Sequence, residues 1–472
     1  MPSSNELEFI QKIHGKLLNY LEKSKDRFVH PRNKAEYLLK EFDLDVNNPN
    51  SLSEMESHID RYLESSINTA STRFYNQLFS GFSSMGYLGE VITSLTNQSM
   101  YTFEMSPLAT LMERKLIEKM AFLIGYDDGF GTFVPGGSNA NLIAMLCARE
   151  RACPNSKTEG LFNAQPLVGF VSEESHYSFM KAGLQSGIGL NNIRMIPCDD
   201  HGKMNHKKLV SAIKSSIENG ERPFFVGATA GTTVRGVFDP IEEIALICKQ
   251  YNLWFHIDGS WGGSALLSKK HRSLLKGSEC SDSFTWCAHK MMGIPLMCTS
   301  IVLKDKNLLK QINSVPGTDY LFHGDDDELD LGLHSLQCGR RVDSLKLWLA
   351  WKYIGDKGYE DRIDHLFSLA KLAESKVDQS RSLKLLSPVE SLNICFRIQP
   401  PLVDESRWDE LTIEVRERLI VETDTLVNHA SINDENCIRL ITANFDLTPE
   451  DIDKFMNNIE IISQKVIHEL NS

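Results

Sequence analysis

PFFVGATAGTTVRGVFDPIEEIALICKQYNLWFHID, residues 223–258, contains two β-rich runs separated by a helical one. The first run (223–230) and the last (253–258) are apolar and end at turn-forming residues, which predicts strands. Between them, residues 240–252 are apolar at the spacing of one helix face. Strand, loop, helix and strand in so short a span form a βαβ crossover. This crossover predicts a mostly parallel, buried sheet flanked by helices.

Similar β-rich runs extend this pattern in both directions along the chain, from about residue 86 to residue 345. Their composition again predicts short buried strands. They are LVGFVS (167–172), SFTWCA (283–288) and TSIVLK (299–304). The sequence therefore predicts one large α/β domain over residues 86–345.

Two smaller regions flank this domain. Residues 1–85 are polar and helix-patterned with one apolar stripe, so we expect a helical segment that packs on the main body or on a second subunit. Residues 346–472 predict a small α+β domain. Its predicted strands are NICFRIQ (393–399) and CIRLITA (437–443), and its closing helix begins at TPED (448–451).

The composition is ordinary for a globular protein of 472 residues, with 42% hydrophobic and 24% charged residues. A net charge of −13 argues against a nucleic-acid or anionic-membrane partner. The ten cysteines include no CxxC pair, which argues against a disulfide framework or a structural zinc site and favours a reducing compartment. No apolar window resembles a signal or membrane-spanning segment, so we expect a cytoplasmic protein.

Reactive residue types lie at the carboxyl ends of the predicted strands, where open α/β sheets bind their ligands. His176 lies just after the strand LVGFVS, Asp258 ends the strand LWFHID, and His289–Lys290 follow the strand SFTWCA. A Gly-Thr-Thr turn follows PFFVGATA. Upstream, PGGS (135–138) opens a helical run, where backbone N–H groups and the positive helix end can hold a phosphate.

Each of these features also has an ordinary structural interpretation. PGGS is equally a loop before a helix cap, Asp258 can cap a turn, and His176 can be a hydrogen-bonded histidine with no special role. Lys290 either points to water or is a reactive amine in a dry pocket, because a buried ammonium is costly unless it is paired or neutral. Their order is more specific. A phosphate loop, a ring-stacking side chain, a carboxylate for a pyridine nitrogen and a Schiff-base lysine are what pyridoxal 5'-phosphate (PLP) requires.

The chain resembles the PLP-dependent group II amino-acid decarboxylases, in the branch of the glutamate and cysteine sulfinate decarboxylases. The resemblance runs from about residue 70 to the C-terminus and implies a fold-type I α/β enzyme with a seven-stranded sheet, a PLP cofactor and a homodimer. It rests on linked motifs in the family's order: FYNQLFSG (74–81), PGGSNAN (135–141), SEESHYS (172–178), ATAGTTVRGVFDP (228–240), HIDGSWGG (256–263), AHKMMGIPLMC (288–298) and QCGRRVDSLKLWLAWK (337–352).

The resemblance also implies roles for individual residues. Lys290 would carry the cofactor, Asp258 would keep its pyridine nitrogen protonated, and His176 would stack on its ring. No residue is expected to bind a metal. The other residues expected to bind the cofactor, chiefly at its phosphate, are Gly137, Ser138, Thr233 and His289.

Substrate choice depends on four further residues by the same resemblance. Gln77 and Arg439 would hold the distal acid group of the substrate, since a guanidinium can bind a carboxylate or sulfinate through two parallel hydrogen bonds. The alternative interpretation of Arg439 is a surface arginine at a strand edge that does not bind substrate. Ser99 and Tyr101 match the cysteine sulfinate type, whereas glutamate decarboxylases carry Asn and Phe there.

An extended chain would point Ser99 and Tyr101 the same way, so that both face one ligand. The tyrosine hydroxyl would then favour a substrate one methylene shorter than glutamate. We therefore expect cysteine sulfinate or aspartate as substrate, giving hypotaurine or β-alanine. Glutamate, giving GABA, is the alternative.

Several residues depart from the family pattern. CAHK stands where NPHK is usual, DGSWGG where DAAWGG is usual, Ala140 where serine is common, and Arg235 where a neutral side chain is usual. The segment 320–340 is shorter than the family's catalytic loop and lacks that loop's tyrosine, and its acidic run Asp325–Asp327 is typical of a solvated loop. Two other classes therefore stay open: another PLP-dependent activity on this fold, such as transamination or decarboxylation-dependent oxidation, and a catalytically silent binding relative.

Overall fold

The computed structural model describes residues 1–31, 34–318, 320–322, 328–401 and 403–470, so the acidic run Asp325–Asp327 lies outside the described residues. Its α-helices are α1 (Ser4–Glu22), α2 (Ala35–Glu41), α3 (Leu52–Ser65), α4 (Ser84–Thr96), α5 (Pro107–Ile124), α6 (Gly137–Ala152), α7 (Ser156–Glu159), α8 (Ser178–Gln185), α9 (His206–Glu218), α10 (Ile241–Tyr251), α11 (Leu308–Asn313), α12 (Asp343–Gln379), α13 (Trp408–Thr423) and α14 (Pro449–Leu470).

The strands are β1 (Phe74–Tyr75), β2 (Phe130–Val134), β3 (Leu167–Ser172), β4 (Ile193–Ile196), β5 (Arg222–Thr229), β6 (Trp254–Gly259), β7 (Ser283–Cys287), β8 (Thr299–Leu303), β9 (Leu383–Leu385), β10 (Asn393–Ile398), β11 (Leu426–Ile432) and β12 (Glu435–Ile441). Short 3₁₀ helices lie at Lys23–Lys25, Leu190–Asn192, Gly262–Leu267, Arg272–Leu275, Ser278–Cys280, Leu331–His334 and Glu405–Arg407.

The large sheet has seven strands in the order β2-β8-β7-β6-β5-β3-β4. Strand β8 is antiparallel to both of its neighbours, and the strands from β7 to β4 pair in parallel. The predicted seven-stranded, mostly parallel sheet is therefore confirmed. Strands β2 and β4 do not appear among the runs predicted from sequence. The first has a glycine and a threonine among its five residues, and the second has partly exposed residues at its centre, so neither carries a clear apolar run.

Helices cover both faces of this sheet. The neighbouring residues Trp254 and Phe255 of β6 point to opposite faces and belong to two different hydrophobic clusters. Helix α10 connects β5 to β6, as the opening βαβ pattern predicts, and buries Ile241, Ile244 and Ile247. The sheet is therefore covered by helices on both of its faces, as buried parallel sheets are.

A second sheet of five strands, in the order β1-β11-β12-β10-β9, forms the C-terminal part of the fold. The predicted strands β10 and β12 are present, and α14 begins at the predicted position. Strand β1 comes from the N-terminal region and pairs in parallel with β11. Helix α12 runs through residue 346, the predicted start of the small domain, and its backbone is non-helical at Gly355.

Helices α1 and α3 pack side by side near the N-terminus. Lys16 forms an ion pair with Asp60 at 2.6 Å, and the Tyr20 hydroxyl donates to the Leu63 carbonyl at 3.0 Å. No residue of α1 is buried within the chain. In the part of the chain that the structure describes, no helix is long and apolar enough to cross a membrane.

Candidate active site

The carboxyl ends of the central parallel strands bring the predicted site residues to one edge of the large sheet. Asp258 lies near the end of β6, between Thr229 of β5 and Thr285 of β7 in the strand register. His176 follows β3, and Lys290 follows β7. Because parallel strands all end at the same edge, residues far apart in sequence converge there.

Asp258 is 5% exposed and is held by two donors. Its Oδ2 accepts from Asn141 Nδ2 at 2.8 Å, and its Oδ1 accepts from the Ser260 backbone N–H at 3.0 Å. Burial works to raise the pKa of Asp258, but the charge of Lys290 together with these hydrogen bonds holds that pKa below its ordinary value. The structure therefore presents an ionised carboxylate at the strand end.

Lys290 lies in the loop after β7, where its backbone N–H donates to the Cys287 carbonyl at 3.2 Å. Its side chain is half-buried, and within the described residues its Nζ has no hydrogen-bond or ion-pair partner. The ammonium is close enough to influence Asp258, yet the two do not form an ion pair. A lysine without such a partner can attack an aldehyde once its ammonium has lost a proton.

His176 has one defined tautomer. The Ser178 backbone N–H donates to its Nδ1 at 3.2 Å, so the ring proton belongs on Nε2. Burial lowers the pKa of His176; the Asp258 charge opposes this shift and the Lys290 charge adds to it. The ring is therefore neutral at neutral pH and can lie flat against a cofactor ring.

The start of α6 is shaped to approach the Asp258 loop closely. Gly136 has a φ of +146°, and a methyl group on Gly137 would lie 2.6 Å from Ser260 Oγ. Ser138 lies exposed in the first turn of this helix. Backbone N–H groups and the helix dipole at such a start favour an anion.

His289 directly precedes Lys290 in the loop after β7. Its Nδ1 lies 3.0 Å from the Cys298 backbone nitrogen and 3.0 Å from the Cys298 carbonyl oxygen. Burial lowers the pKa of His289 to about 4. A free amine, an ionised buried carboxylate, a neutral ring and an anion-binding helix start match the aldehyde, pyridine nitrogen, ring face and phosphate of PLP. The residues present therefore fit this cofactor.

Arg439 lies on β12, the central strand of the small sheet, and is 5% exposed. The alternative of a surface arginine at a strand edge is therefore wrong. Its Nη1 donates to the Thr233 carbonyl at 3.1 Å, and its Nη2 donates to the Asn76 carbonyl at 2.9 Å. Its Nε has no partner among the described residues. Gln77, the exposed residue after Asn76, is thus adjacent in the chain to a backbone group that holds the guanidinium.

Ser99 and Tyr101 are placed differently from the sequence prediction. The chain turns at Met100 and Tyr101, so the expected extended stretch is wrong and side-chain alternation does not apply. The Ser99 carbonyl accepts from the Ser106 hydroxyl at 2.8 Å, and the Tyr101 carbonyl accepts from the Gly332 N–H at 2.8 Å. Within the described chain, no hydrogen bond joins either residue to the site around Lys290.

The sequence assigns no role to Arg235. In the structure its side chain is buried and connects two loops through hydrogen bonds. Its Nε donates to Glu174 Oε1 at 3.1 Å, and its Nη2 donates to Asn433 Oδ1 at 3.1 Å. Glu174 belongs to the loop that carries His176, and Asn433 lies in the turn between β11 and β12. Arg235 therefore links the edge of the large sheet to the small sheet.

Two functional residues were missed from sequence, Asn141 and His256. Asn141 stood inside the PGGSNAN motif without a role, yet its side chain contacts Asp258 directly. His256 Nε2 lies 3.0 Å from Asn141 Oδ1. A signal was present, because residues two apart on a strand share a face, so His256 must accompany Asp258.

Comparisons with known proteins agree with this geometry. Residues 35–399 match the family model described as the pyridoxal-dependent decarboxylase conserved domain. Cysteine sulfinic acid decarboxylase from Homo sapiens is 39% identical over 412 residues, which cover 84% of this chain and 83% of the human protein. Its counterpart from Mus musculus is 38% identical over the same shares of both chains.

Solved structures show the same fold. The crystal structure of mouse CSAD in apo form superposes with a TM-score of 0.93 at 34% identity, over 97% of this chain and 99% of that chain. Oryza sativa TDC with PLP and tryptamine gives a TM-score of 0.91 at 23% identity, over 99% of both chains. The family model, these relatives and a site that fits PLP together establish that this chain is a carboxy-lyase of the pyridoxal-dependent decarboxylase family.

Proposed function

We propose that this enzyme removes the α-carboxylate of acidic L-amino acids, with cysteine sulfinate as its preferred substrate and aspartate next. The products would be hypotaurine and β-alanine. The observation that carries this proposal is Arg439, a buried guanidinium bound only to backbone carbonyls within the described residues. The relatives named cysteine sulfinic acid decarboxylase support the same choice.

A buried positive charge is costly unless an opposite charge compensates it. Two neutral carbonyl oxygens bind the Arg439 nitrogens but leave its net charge unbalanced. The distal acid group of a bound substrate would supply the missing negative charge, with Gln77 beside it as a further donor. An aromatic or aliphatic side chain would leave the guanidinium uncompensated, which explains the preference for acids.

We assign the chemical steps to this chain's own residues as follows. When bound, PLP supplies the electron sink that accepts the pair released as carbon dioxide leaves. Asp258 would keep a proton on the pyridine nitrogen of PLP, because its carboxylate is ionised. His176 would lie against the cofactor ring. Lys290 would hold the cofactor through Nζ, and the same amine would be available to move a proton.

We also propose that the protein acts as a homodimer. Leu88, Ile92 and Leu95 form an exposed apolar face on α4, opposite the residues that pack on α12. A second copy of the chain would cover this face. Ser99 and Tyr101 follow α4 directly, and within the described residues no hydrogen bond joins them to their own chain's Lys290, so we assign them to the substrate pocket across the dimer junction.

Side-by-side assays of purified holoenzyme test the substrate proposal. Cysteine sulfinate, aspartate and glutamate are supplied separately, and both carbon dioxide and the organic product are measured. We expect kcat/KM to fall in that order, with one carbon dioxide per amine formed. Faster turnover of glutamate would overturn the substrate order. Formation of an aldehyde or keto acid in place of the amine would instead indicate oxidation or transamination.

A further inference from the structure

Asn141 lies at the centre of a buried polar cluster beneath Asp258. Its Nδ2 donates to Asp258 Oδ2 at 2.8 Å and to Ser178 Oγ at 2.9 Å. Its Oδ1 accepts from Thr285 Oγ1 at 2.9 Å and lies 3.0 Å from His256 Nε2. All four capacities of the amide are therefore used, at a residue that is 1% exposed.

The cluster continues away from the site through His256. His256 Nδ1 lies 2.8 Å from Ser283 Oγ, and Ser283 Oγ accepts from the Trp254 indole N–H at 2.8 Å. The chain of contacts thus runs from Trp254 through Ser283, His256 and Asn141 to Asp258. An indole N–H can only donate, and an ionised carboxylate can only accept.

These two ends determine the direction of every hydrogen bond between them. Asp258 accepts, so the amide nitrogen of Asn141 must face it and the amide oxygen must face His256. That oxygen cannot donate, so His256 Nε2 must carry the proton. Burial lowers the pKa of His256 to about 4, so the ring is neutral and has no second proton. Ser283 must then donate to Nδ1, while its oxygen accepts from the indole.

We propose that Asn141 and His256 are positioning residues that keep Asp258 a permanent acceptor, through a one-way hydrogen-bond chain anchored at Trp254. Asn141 leaves the carboxylate oriented with a free lone pair for the pyridinium N–H of PLP. The Asn141 amide donates a hydrogen bond to the carboxylate but does not transfer its proton, because an amide is not an acid at neutral pH. The same Asn141 amide binds Ser178, whose backbone N–H holds His176. One amide therefore orients the group at the ring nitrogen and, through Ser178, supports the group on the ring face.

Neutron diffraction from deuterium-exchanged crystals of the wild-type holoenzyme tests the direction of the chain. We expect deuterium on His256 Nε2, on the Ser283 hydroxyl pointing to Nδ1, and on the Asn141 nitrogen facing Asp258. Deuterium on His256 Nδ1, or an Asn141 oxygen facing Asp258, would overturn the proposal. This measurement needs no variant, so it holds even if substitutions in the cluster fail to fold.

The second test measures how fast PLP leaves the holoenzyme on dialysis, together with its visible absorption spectrum. Asn141→Ala removes the donor to Asp258, so PLP should leave about tenfold faster or more, as expected for one charge-assisted hydrogen bond. His256→Leu should act in the same direction. His256→Gln should restore slow release, because its amide can donate to Asn141 and accept from Ser283.

Asn313→Ala is the matched control, since Asn313 lies on α11 and its side chain only donates to the Leu309 carbonyl of the same helix among the described residues. It should release PLP within about twofold of the wild-type rate. If the Asn141→Ala holoenzyme releases PLP at the wild-type rate and keeps the wild-type absorption spectrum, Asn141 does not position Asp258 and the proposal is overturned. Equal release rates for His256→Gln and His256→Leu would likewise overturn the proposed direction of donation.

Discussion

Single residues at this site owe their protonation state to burial and to one or two hydrogen bonds. The pKa of Asp258 is held low although the residue is buried, because the Lys290 charge and two donors outweigh desolvation. Burial lowers the pKa of His176 and lowers the pKa of His289 to about 4. At neutral pH the site therefore combines one carboxylate with neutral rings, which is the balance that a cationic pyridine ring requires.

Lys290 is expected to be the only residue that binds PLP covalently. Borohydride reduction of the yellow holoprotein should leave the cofactor attached to the peptide that contains Lys290, as read by mass spectrometry. Lys290→Ala should abolish turnover without loss of fold, because this side chain lies at a strand end. Lys304→Ala is the control, since the Lys304 ammonium lies at the surface and donates to the Glu279 carbonyl at 2.9 Å. A label on Lys304 would refute the assignment.

Arg439→Lys should keep the positive charge but lose the two-pronged geometry. We expect kcat/KM for cysteine sulfinate to fall roughly thirtyfold. This factor corresponds to a loss of about 2 kcal/mol in transition-state stabilisation. Arg397→Lys is the matched control, because Arg397 lies on the adjacent strand β10 and is already paired with Asp409 and Glu435. It should lower thermal stability and leave kcat/KM unchanged. Equal kinetic losses in both variants would show that Arg439 acts only through stability.

At the scale of elements, the start of α6 and the loop after β6 meet at a distance that only glycine allows. The helix presents its first N–H groups to the site because nothing larger than hydrogen separates Gly137 from Ser260. Helix α8 is tied to the same place through Ser178, and Arg235 ties the loop after β5 to the turn between β11 and β12. The site is thus held by the ends of several elements at once.

Gly137→Ala should push α6 away from the β6 loop, since its methyl group would lie 2.6 Å from Ser260 Oγ. We expect PLP affinity to fall at least about tenfold, measured by absorbance titration. Adding Ser260→Ala removes the clashing oxygen and should recover most of that affinity. Gly15→Ala is the neutral control, because on exposed α1 the added methyl group would meet no described atom within 4 Å beyond its own helix backbone and chain neighbours. No recovery in the double variant would contradict this steric explanation.

At the scale of the whole molecule, the chain has an exposed apolar face on α4, and within the described residues no hydrogen bond joins Ser99 or Tyr101 to the site. Both observations are explained if two copies pack through α4. The exposed side chains at Leu88, Ile92 and Leu95 would then be buried, and the turn that follows them would reach the neighbouring pocket. Activity would in that case depend on assembly.

Leu88→Glu with Ile92→Glu should therefore shift the molecular mass measured by light scattering from dimer to monomer and lower activity in parallel. The physical reason is that two charges would be buried without partners. Leu246→Glu, at an exposed position on α10, should leave both mass and activity unchanged. A fully active monomer would rule out a shared site.

The amino-acid sequence by itself determined the α/β class, five of the seven large-sheet strands, and the reactive residues at their ends. Local apolar runs mark buried strands, and parallel strands end at one edge, so Asp258, His176 and Lys290 were bound to converge. Tertiary structure alone decided what holds them. Asn141 reaches Asp258 across 117 residues of chain, and Arg439 reaches Thr233 across 206. Such contacts depend on the direction in which side chains point once the elements have packed. The hydrophobic periodicity along the chain does not contain that information.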